Sequence, residues 1–347
     1  MFRGYNLTQR DRCRFRTGTG GKFSARTVPD VRKKREKMEN LQHVTAEECQ
    51  KCLTYPSKVI ETSVGPVEYA DRGEGPILLS VHGGPGGYDQ GLAIGEVFRK
   101  SEFRILAPSR PGYLGTSLDA GKTPEEQGDM LAAFLDAMGL SKVAAVGCSA
   151  GGPPSYQLAE RHPDRVSALI EIDSVSVKYT TVQELSKLEQ AIYLSKPGIW
   201  LVGFFMQHFP SAVVKNFLET ESSLDKHEIG ERVKEIVKDK DKFAFLSSLF
   251  KTMSEKYDQR KAGVDNDCKQ MEALDKLPLS NISCPTLITH GDADTDVPKN
   301  HAEYAHKAIK GSELYWIKGG SHIGFWTADS AYEAQEYAVK WLKHIGS

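Results

Sequence analysis

The stretch V-A-A-V-G-C-S-A-G, residues 143–151, joins a short apolar run to a G-x-S-x-G pentapeptide, and a segment of helical character follows as far as Arg161. Small residues around Ser149 let a strand turn sharply into a helix, which leaves the serine backbone strained and its hydroxyl exposed above the sheet. A G-x-S-x-G match alone is a weak signal, and its placement after an apolar run carries the prediction. The pattern predicts a strand, a nucleophile at Ser149 and a helix, in that order.

Similar apolar runs recur on both sides of this stretch and alternate with amphipathic segments. Strands that are uniformly apolar and separated by helices are typical of a parallel sheet with helices on both faces. The sequence therefore predicts an α/β fold. The predicted strands are Lys58 to Glu61, Val67 to Ala70, Ile77 to Val81, Phe103 to Ala107, Lys142 to Val146, Val166 to Ile172, Thr286 to Thr289 and Leu314 to Ile317.

The strand pattern is interrupted between Ser174 and Ile282, where the sequence is typical of helices. We predict a core formed by residues 57–175 and 284–347, with residues 176–283 as a helical cap inserted after the sixth strand. Ligands of open α/β sheets bind at the carboxyl ends of the strands, so the cap is expected above this edge.

The overall composition is that of an ordinary globular enzyme. The 347 residues are 39% hydrophobic and 26% charged, with a formal net charge of -1, and this balance does not suggest a nucleic-acid partner. The longest apolar run, Ile199 to Met206, is far shorter than the roughly 18 residues of a membrane span, so stable membrane insertion is not expected. The sequence does not determine the oligomeric state.

The first 37 residues differ from the rest, with twelve Lys or Arg against three acidic residues. They show no helical or strand periodicity, so residues 1–50 are predicted to form a basic arm without regular structure. An Arg-rich start resembles a mitochondrial transit peptide, whereas Asp11 and the run R-K-K-R at residues 32–35 are equally consistent with a solvated tail or a nuclear signal. We expect a cytoplasmic protein, with mitochondrial import as the open alternative.

The six cysteines indicate reduced thiols, because no secretory signal precedes them. Cys49 and Cys52 form a C-x-x-C, but neither a second pair nor a βαβ context accompanies them, as a zinc or redox site would require. They are interpreted as incidental thiols. No metal site is predicted.

A serine nucleophile needs a base, and the base is expected in a loop after the last strand. His322 lies in G-G-S-H-I-G-F-W, residues 319–326, between the last predicted strand and the terminal helix. This position distinguishes it from the other histidines of the chain. We predict that His322 accepts the proton of Ser149.

The acid that orients this base is expected after the preceding strand. Residues 290–298, H-G-D-A-D-T-D-V-P, place Asp292, Asp294 and Asp296 there. Asp294 is preferred because a residue in the middle of the loop has room to point back across the sheet edge, whereas Asp296 is close enough to the next helix to cap it. Asp173, after the sixth strand, is a minor alternative.

Residues 82–87, H-G-G-P-G-G, follow the third predicted strand and predict an oxyanion hole. Binding an oxyanion requires two backbone N–H groups with no side chains in the way, and a glycine-rich turn provides such groups. The predicted donors are the amides of Gly84 and Ala150.

Together these motifs resemble the α/β-hydrolase superfamily over about residues 57–347. The turn at 82–87, the elbow, G-D-A-D-T-D-V-P and G-G-S-H-I-G-F-W match it in both order and spacing. Residues 109–117, S-R-P-G-Y-L-G-T-S, are also similar to a loop that borders the active site in this superfamily. The resemblance implies the α/β-hydrolase fold, a mostly parallel sheet flanked by helices, and a hydrolase that needs no cofactor.

The H-G-G-P-G-G turn is also frequent in proline iminopeptidases, so an aminopeptidase is the main alternative. Those enzymes typically show D-Q-R-G-x-G-x-S and G-G-S-W-G, where this chain has S-R-P-G-Y-L-G-T-S and G-C-S-A-G. Epoxide hydrolases and haloalkane dehalogenases share the P-G-Y turn but use an aspartate nucleophile, and Ser149 argues against them. A non-catalytic small-molecule receptor on the same fold is a further alternative, although the complete set of catalytic groups argues against it.

We therefore predict a serine hydrolase that cleaves a small or medium carboxylic ester or lactone through an acyl-enzyme on Ser149. Its partner is a small-molecule substrate, and the apolar cap segment 197–206 is expected to hold the acyl part. The candidate substrate-binding side chains are Trp200, Phe204 and Phe205. An aminopeptidase would instead need acidic cap residues for the charged amine of its substrate, and Glu219 and Glu221 are available for that role.

Overall fold

The structure is a computed structural model and describes residues 43–179 and 204–345. The strands are β1 (Lys58–Thr62), β2 (Gly65–Arg72), β3 (Ile77–Val81), β4 (Arg104–Pro108), β5 (Val143–Cys148), β6 (Val166–Ile172), β7 (Thr286–Gly291) and β8 (Glu313–Ile317). They form one sheet in the order β1-β2-β4-β3-β5-β6-β7-β8. β2 runs antiparallel to both β1 and β4, and the remaining neighbours are parallel.

Helices cover both faces of this sheet. The α-helices of the described residues, those of the cap included, are in chain order α1 (Ala46–Leu53), α2 (Tyr88–Arg99), α3 (Pro124–Ala137), α4 (Gly152–Arg161), α5 (Pro210–Glu221), α6 (Lys226–Lys238), α7 (Lys240–Ser254), α8 (Lys261–Ala273), α9 (Asn300–Ala308), α10 (Gly324–Thr327) and α11 (Ala331–Ile345). Successive strand residues point to opposite faces, so Leu78 of β3 packs in one apolar cluster with α2 and α11, and Leu79 packs in the other with α3 and α4.

The predicted architecture is confirmed: the sheet is mostly parallel, helices flank it, and α5–α8 are inserted as a cap between β6 and β7. Every residue of β5 and of β7 is buried, as expected for parallel strands that are covered on both faces. The carboxyl ends of these two strands carry the elbow and the aspartate loop. No helix in the described part of the chain is long and apolar enough to cross a membrane.

The predicted arm of residues 1–50 extends too far, because its last part is helical. The side chain of Thr45 accepts from the amide of Glu48, and the Glu48 carboxylate accepts from the amide of Thr45, which forms a capping box at the start of α1. Cys49 and Cys52 of this helix are 2% and 0% exposed and lie in an apolar cluster of the core. α1 therefore belongs to the folded core, and residues 1–42 lie outside the described part.

The C-x-x-C thiols are packed in an apolar and acidic environment. Burial and the carboxylate of Glu96 raise the pKa of Cys49 to about 12. The same two causes raise the pKa of Cys52, whose sulfur lies 3.0 Å from the guanidinium of Arg72. Thiols with raised pKa values are poor nucleophiles and poor metal ligands, so we interpret this pair as part of the packing.

Candidate active site

Ser149 lies at a sharp turn between β5 and α4. Its backbone φ of +54° falls in the left-handed region that residues with side chains seldom adopt. The elbow glycines permit close packing here: a Cβ on Gly147 would overlap the Oγ of Ser155, and one on Gly151 would lie 2.5 Å from the carbonyl oxygen of His82. The geometry is that of a nucleophile elbow, with the serine at its tip.

The side chains of Ser149, His322 and Asp294 form a continuous hydrogen-bonded chain. Oγ of Ser149 lies 2.9 Å from Nε2 of His322, and Nδ1 of the same ring lies 2.9 Å from Oδ2 of Asp294. An ionised carboxylate can only accept, so in the neutral ring Nδ1 carries the proton and Nε2 presents its lone pair to the serine hydroxyl. The structure thus brings together the three residues predicted to act in catalysis.

Asp294 is oriented by the turn that carries it. Its Oδ1 accepts from the amides of Asp296 and Val297, each at 2.9 Å, and its side chain is buried. These bonds leave Oδ2 directed at His322. A carboxylate held on both oxygens loses little rotational freedom when it orients the imidazole.

Two of the other acids considered, Asp292 and Asp173, accept hydrogen bonds from backbone amides. Oδ1 of Asp292 accepts from the amide of Gly319 at 2.6 Å, and Oδ1 of Asp173 accepts from the amide of Gly291 at 2.8 Å. Burial and the charge of nearby Asp294 raise the pKa of Asp173 well above its ordinary value. Neither arrangement directs a carboxylate at the imidazole of the candidate base.

Asp296 lies on the serine side of the His322 ring. Its Oδ2 is 3.4 Å from Nε2 of His322, and its Oδ1 accepts from the hydroxyl of Tyr179 at 2.6 Å. Burial opposes the charging of His322, but Asp294 and Asp296 outweigh it and raise the pKa of His322 well above its ordinary value. The site therefore favours the imidazolium that would form when His322 takes the proton of Ser149.

The loop after β3 packs behind the elbow and is held by a neutral histidine. Burial and the charge of Arg110 lower the pKa of His82 well below its ordinary value. Nδ1 of His82 donates to the carbonyl of Gly83 at 2.7 Å, and Nε2 accepts from the amide of Arg110 at 2.9 Å. Gly84, a predicted oxyanion donor, lines the cavity above the elbow, and Ala150, the other, follows the nucleophile in a short 3₁₀ turn.

A cavity of about 100 Å³ opens above Ser149. This volume is below the roughly 300–1,000 Å³ that is typical of sites for drug-sized ligands. Its apolar lining consists of Ile94, Phe217, Phe245, Leu249, Met253, Ile323 and Trp326. Polar groups reach it from Gln90, Glu221 and Asp296. The cap helices α5 and α7 therefore supply much of the wall that a substrate would contact.

Glu221, the last residue of α5, brings a carboxylate from the cap into this cavity. Its Oε2 is buried without a hydrogen-bond partner among the residues that the structure describes. Burial and the charge of Asp296 raise the pKa of Glu221 to about 7. Glu219, the other acid considered for an amine site, is exposed and lies 3.6 Å from the ammonium of Lys215. Of these two glutamates, Glu221 is therefore the one whose side chain lines the cavity above Ser149.

Two of the predicted substrate-binding aromatics, Phe204 and Phe205, are partly exposed in the described part of the cap. Phe204 and Phe205 are 37% and 41% exposed, and their rings contact each other. Among the described residues, the aromatic side chains that line the cavity are Phe217, Phe245 and Trp326, while Trp200 lies outside the described residues. An apolar run identifies a cap segment, but it carries no information about which of its side chains will face the cleft.

Asp173, His290 and Asp294 form a buried cluster whose potential ligand atoms lie within 4.8 Å of one another. Both oxygens of Asp294 already accept hydrogen bonds, one of them from His322. Nε2 of His290 lies 2.7 Å from the carbonyl of Val297, to which it can only donate. A metal ion here would compete with the contact that orients His322, so the cluster fits a support for Asp294 better than a metal centre.

The fold and this geometry define a class of protein. The family described as alpha/beta hydrolase fold matches residues 76–329, and the chain belongs to this family. It is a hydrolase of the α/β fold.

Particular relatives share most of its length. The uncharacterized hydrolase YcgS of Bacillus subtilis is 26% identical over 283 residues, which cover 80% of this chain and 95% of that protein. The proline iminopeptidase of Saccharolobus solfataricus is 26% identical over 277 residues, or 76% of this chain and 84% of that protein. An alpha/beta hydrolase fold protein from Nakamurella multipartita is 36% identical, with a TM-score of 0.77 over 84% of this chain and 100% of its own.

Proposed function

We propose that this protein is a serine hydrolase that cleaves a small or medium carboxylic ester or lactone through an acyl-enzyme on Ser149. The observation that carries the proposal is the chain of contacts from Ser149 through His322 to Asp294, with 2.9 Å at each link. A nucleophile, base and acid in contact, and in this order along the sequence, suit acyl transfer on this fold. Membership of the α/β-hydrolase family supports the same chemistry.

The proposed reaction has two halves. Oγ of Ser149 attacks the carbonyl carbon while Nε2 of His322 accepts its proton, and the amides of Gly84 and Ala150 bind the resulting oxyanion. The C–O bond to the alcohol then breaks, the alcohol takes the proton from His322, and an acyl-serine remains. Water attacks this ester with His322 again as base, which releases the acid and restores Ser149. Asp294 keeps the ring in the required tautomer and stabilises the imidazolium.

The cavity supports a short, apolar acyl group. Its volume of about 100 Å³ leaves little room for a long chain, and aliphatic and aromatic side chains form most of its wall. Burying an acyl group against Phe217 and Trp326 gains roughly 25 cal/mol for each Å² of apolar surface removed from water. Small esters such as butyrates are therefore the proposed substrates.

Activity-based labelling tests the nucleophile directly. A fluorophosphonate should label the native protein, and Ser149→Ala should lose the label and about 10⁶-fold in kcat. Cys148→Ala is the matched control, because it changes the neighbouring side chain and leaves the hydroxyl, so its labelling should persist. A labelled Ser149→Ala protein would show that the reactive group lies elsewhere, and an unlabelled native protein would favour a non-catalytic receptor.

A second candidate function is the hydrolysis of aminoacyl amides, and Glu221 is the observation that favours it. Its buried Oε2, which has no hydrogen-bond partner among the described residues, belongs to a side chain that lines the cavity and could accept a hydrogen bond from the ammonium group of such a substrate. The 26% identity to a proline iminopeptidase agrees with this candidate. A higher kcat/KM for prolyl-amides than for p-nitrophenyl butyrate, lost in Glu221→Gln and kept in Glu219→Gln, would establish it over the esterase.

A further inference from the structure

Two buried ion pairs join the cap to the core beside the loop that carries the proposed oxyanion donor. The guanidinium of Arg110 donates to Oδ1 of Asp267 in α8 at 2.9 Å and to Oδ2 at 2.6 Å. Arg260, which precedes α8, donates to the two oxygens of Asp89 in α2 at 3.1 and 2.6 Å. All four side chains are buried. Paired hydrogen bonds of this kind fix orientation as well as distance.

Arg110 contacts the oxyanion loop directly. Its Nη2 donates to the carbonyl of Gly83 at 3.1 Å and its Nε donates to the carbonyl of His82 at 2.9 Å. The carbonyl of Gly83 and the amide of Gly84 belong to one planar peptide unit, so a donor that holds the oxygen also sets the direction of the N–H. The Gly83 carbonyl also accepts from Nδ1 of His82, so Asp267 is linked through Arg110 to one of the two donors that orient the peptide unit of the Gly84 amide.

Arg260 holds the far end of the same loop. Its Nη1 donates to the carbonyl of Gly86 at 2.5 Å, in addition to the two hydrogen bonds that the guanidinium makes to the carboxylate of Asp89. Next to it, the amide of Leu114 donates to the carbonyl of Gln259 at 2.7 Å, so backbone as well as side chains joins the cap to the core here. The loop is thus held near one end by Arg110, whose partner Asp267 belongs to the cap, and at the other end by Arg260, which is itself a cap residue.

We propose that Asp267 and Arg260 are positioning residues that keep the oxyanion loop in the geometry needed by the tetrahedral intermediate. The proposal rests on the acyl-transfer function proposed above. Both side chains lie outside the set that lines the cavity, so they act through Arg110 and the loop backbone rather than on the substrate. Loss of an interaction that matters in the transition state lowers kcat and leaves substrate binding intact.

The sign of the effect separates positioning from simple electrostatics. A Cβ built on Gly84 would lie 3.4 Å from Oδ2 of Asp267, so this carboxylate is close to the proposed donor. If its charge were its main influence, Asp267→Asn would remove a repulsion from the oxyanion and raise kcat. If it acts by position, kcat falls. The asparagine oxygen can accept from one nitrogen of the Arg110 guanidinium, but the asparagine NH2 group is a donor and faces the N–H of the other nitrogen.

The test uses the full-length protein with Asp267→Asn and Arg260→Lys. Asp265→Asn is the matched control, since Asp265 is an exposed residue of α8 whose partner is Lys261. For each protein, kcat and KM are measured with a short-chain ester. The inhibition constants of an alkyl boronic acid, which forms a tetrahedral adduct, and of the product carboxylate are measured alongside them. Thermal denaturation shows that each variant is folded.

We expect kcat to fall about 100-fold in Asp267→Asn and less in Arg260→Lys, with KM and product affinity unchanged. Boronate affinity should fall with kcat, whereas Asp265→Asn should match the native protein. An unchanged or raised kcat in folded Asp267→Asn overturns the role of Asp267. If that variant does not fold, the kcat, KM and boronate affinity of Arg260→Lys decide in the same way. Persistent labelling of Ser149→Ala would instead refute the proposed function, whatever these variants do.

Discussion

Oδ2 of Asp296 lies 3.4 Å from Nε2 of His322, the nitrogen that also contacts the hydroxyl of Ser149. The ring therefore has a carboxylate on each side, Asp294 at Nδ1 and Asp296 near Nε2. Both charges favour the imidazolium, and together they outweigh the effect of burial on its pKa. Asp296 thus helps the ring to accept a proton from the serine, but it also keeps the ring protonated at lower pH.

The first prediction concerns pH. Because His322 must be neutral to act as a base, and its pKa is raised, kcat/KM should increase with pH through a midpoint above 6.5. Asp296→Asn removes one carboxylate and lowers this pKa, so the midpoint should move to lower pH by roughly 1 unit or more. A pH–rate profile with a neutral ester measures this. Asp292→Asn serves as control and should keep the native midpoint, and a midpoint that stays or rises in Asp296→Asn contradicts the prediction.

The second prediction concerns the acid. Asp294→Asn would offer Nδ1 of His322 a poorer or reversed hydrogen-bond partner, with an expected loss of about 10⁴-fold in kcat. Asp173→Asn is the matched comparison: its Oδ1 accepts from the amide of Gly291, an interaction that the asparagine carbonyl can keep, so kcat should stay within about one order of magnitude of the native value. Steady-state kinetics on both variants checks this. If Asp173→Asn proves the more damaged, the acid must be reassigned.

The third prediction concerns the N-terminus. Truncation before Leu41 should leave kcat unchanged, because α1, the first element that the structure describes, begins at Ala46 and all of the proposed site follows it. Truncation before Lys58 also removes α1 and exposes the surface under Cys49 and Cys52, with an expected loss of at least about 2 kcal/mol in the free energy of unfolding. Urea denaturation of the two truncated proteins measures the difference. Equal stability of the two would show that α1 contributes nothing to the core.

Much of the proposed site could be anticipated because each part depends on local sequence. Ser149 needs small neighbours to occupy its strained turn, and His322 and Asp294 follow strands whose apolar patterns are plain. α1 also had a local signal, the T-x-x-E pair of Thr45 and Glu48, which begins a capping box. That signal was hidden by the basic composition of the residues before it.

Other parts depend on tertiary packing and could not be inferred from the sequence. Whether Asp296 faces Nδ1 or Nε2 of His322 is decided by the course of its loop, which also meets the end of α5. The orientation of Glu221 depends on where α5 ends above that loop: the amide of Thr295 donates to the carbonyl of Glu221 at 3.4 Å. The position of β4 between β2 and β3 is likewise set by the crossover connections between the strands, and apolar periodicity does not predict the order of strands in a sheet.

The last prediction distinguishes the aromatic residues of the cap. Phe217 lines the cavity above Ser149, whereas Phe205 is 41% exposed and lies outside that lining. Phe217→Ala should raise KM for p-nitrophenyl butyrate about 10-fold, which corresponds to about 1.4 kcal/mol of lost apolar contact with the acyl group. Phe205→Ala removes the same ring from the cap surface and should leave KM unchanged. The effect of Phe217→Ala should also be smaller for the acetate ester, whose shorter chain reaches less of the wall. A larger KM change in Phe205→Ala than in Phe217→Ala would place the acyl group along the exposed face of the cap and contradict the proposed binding mode.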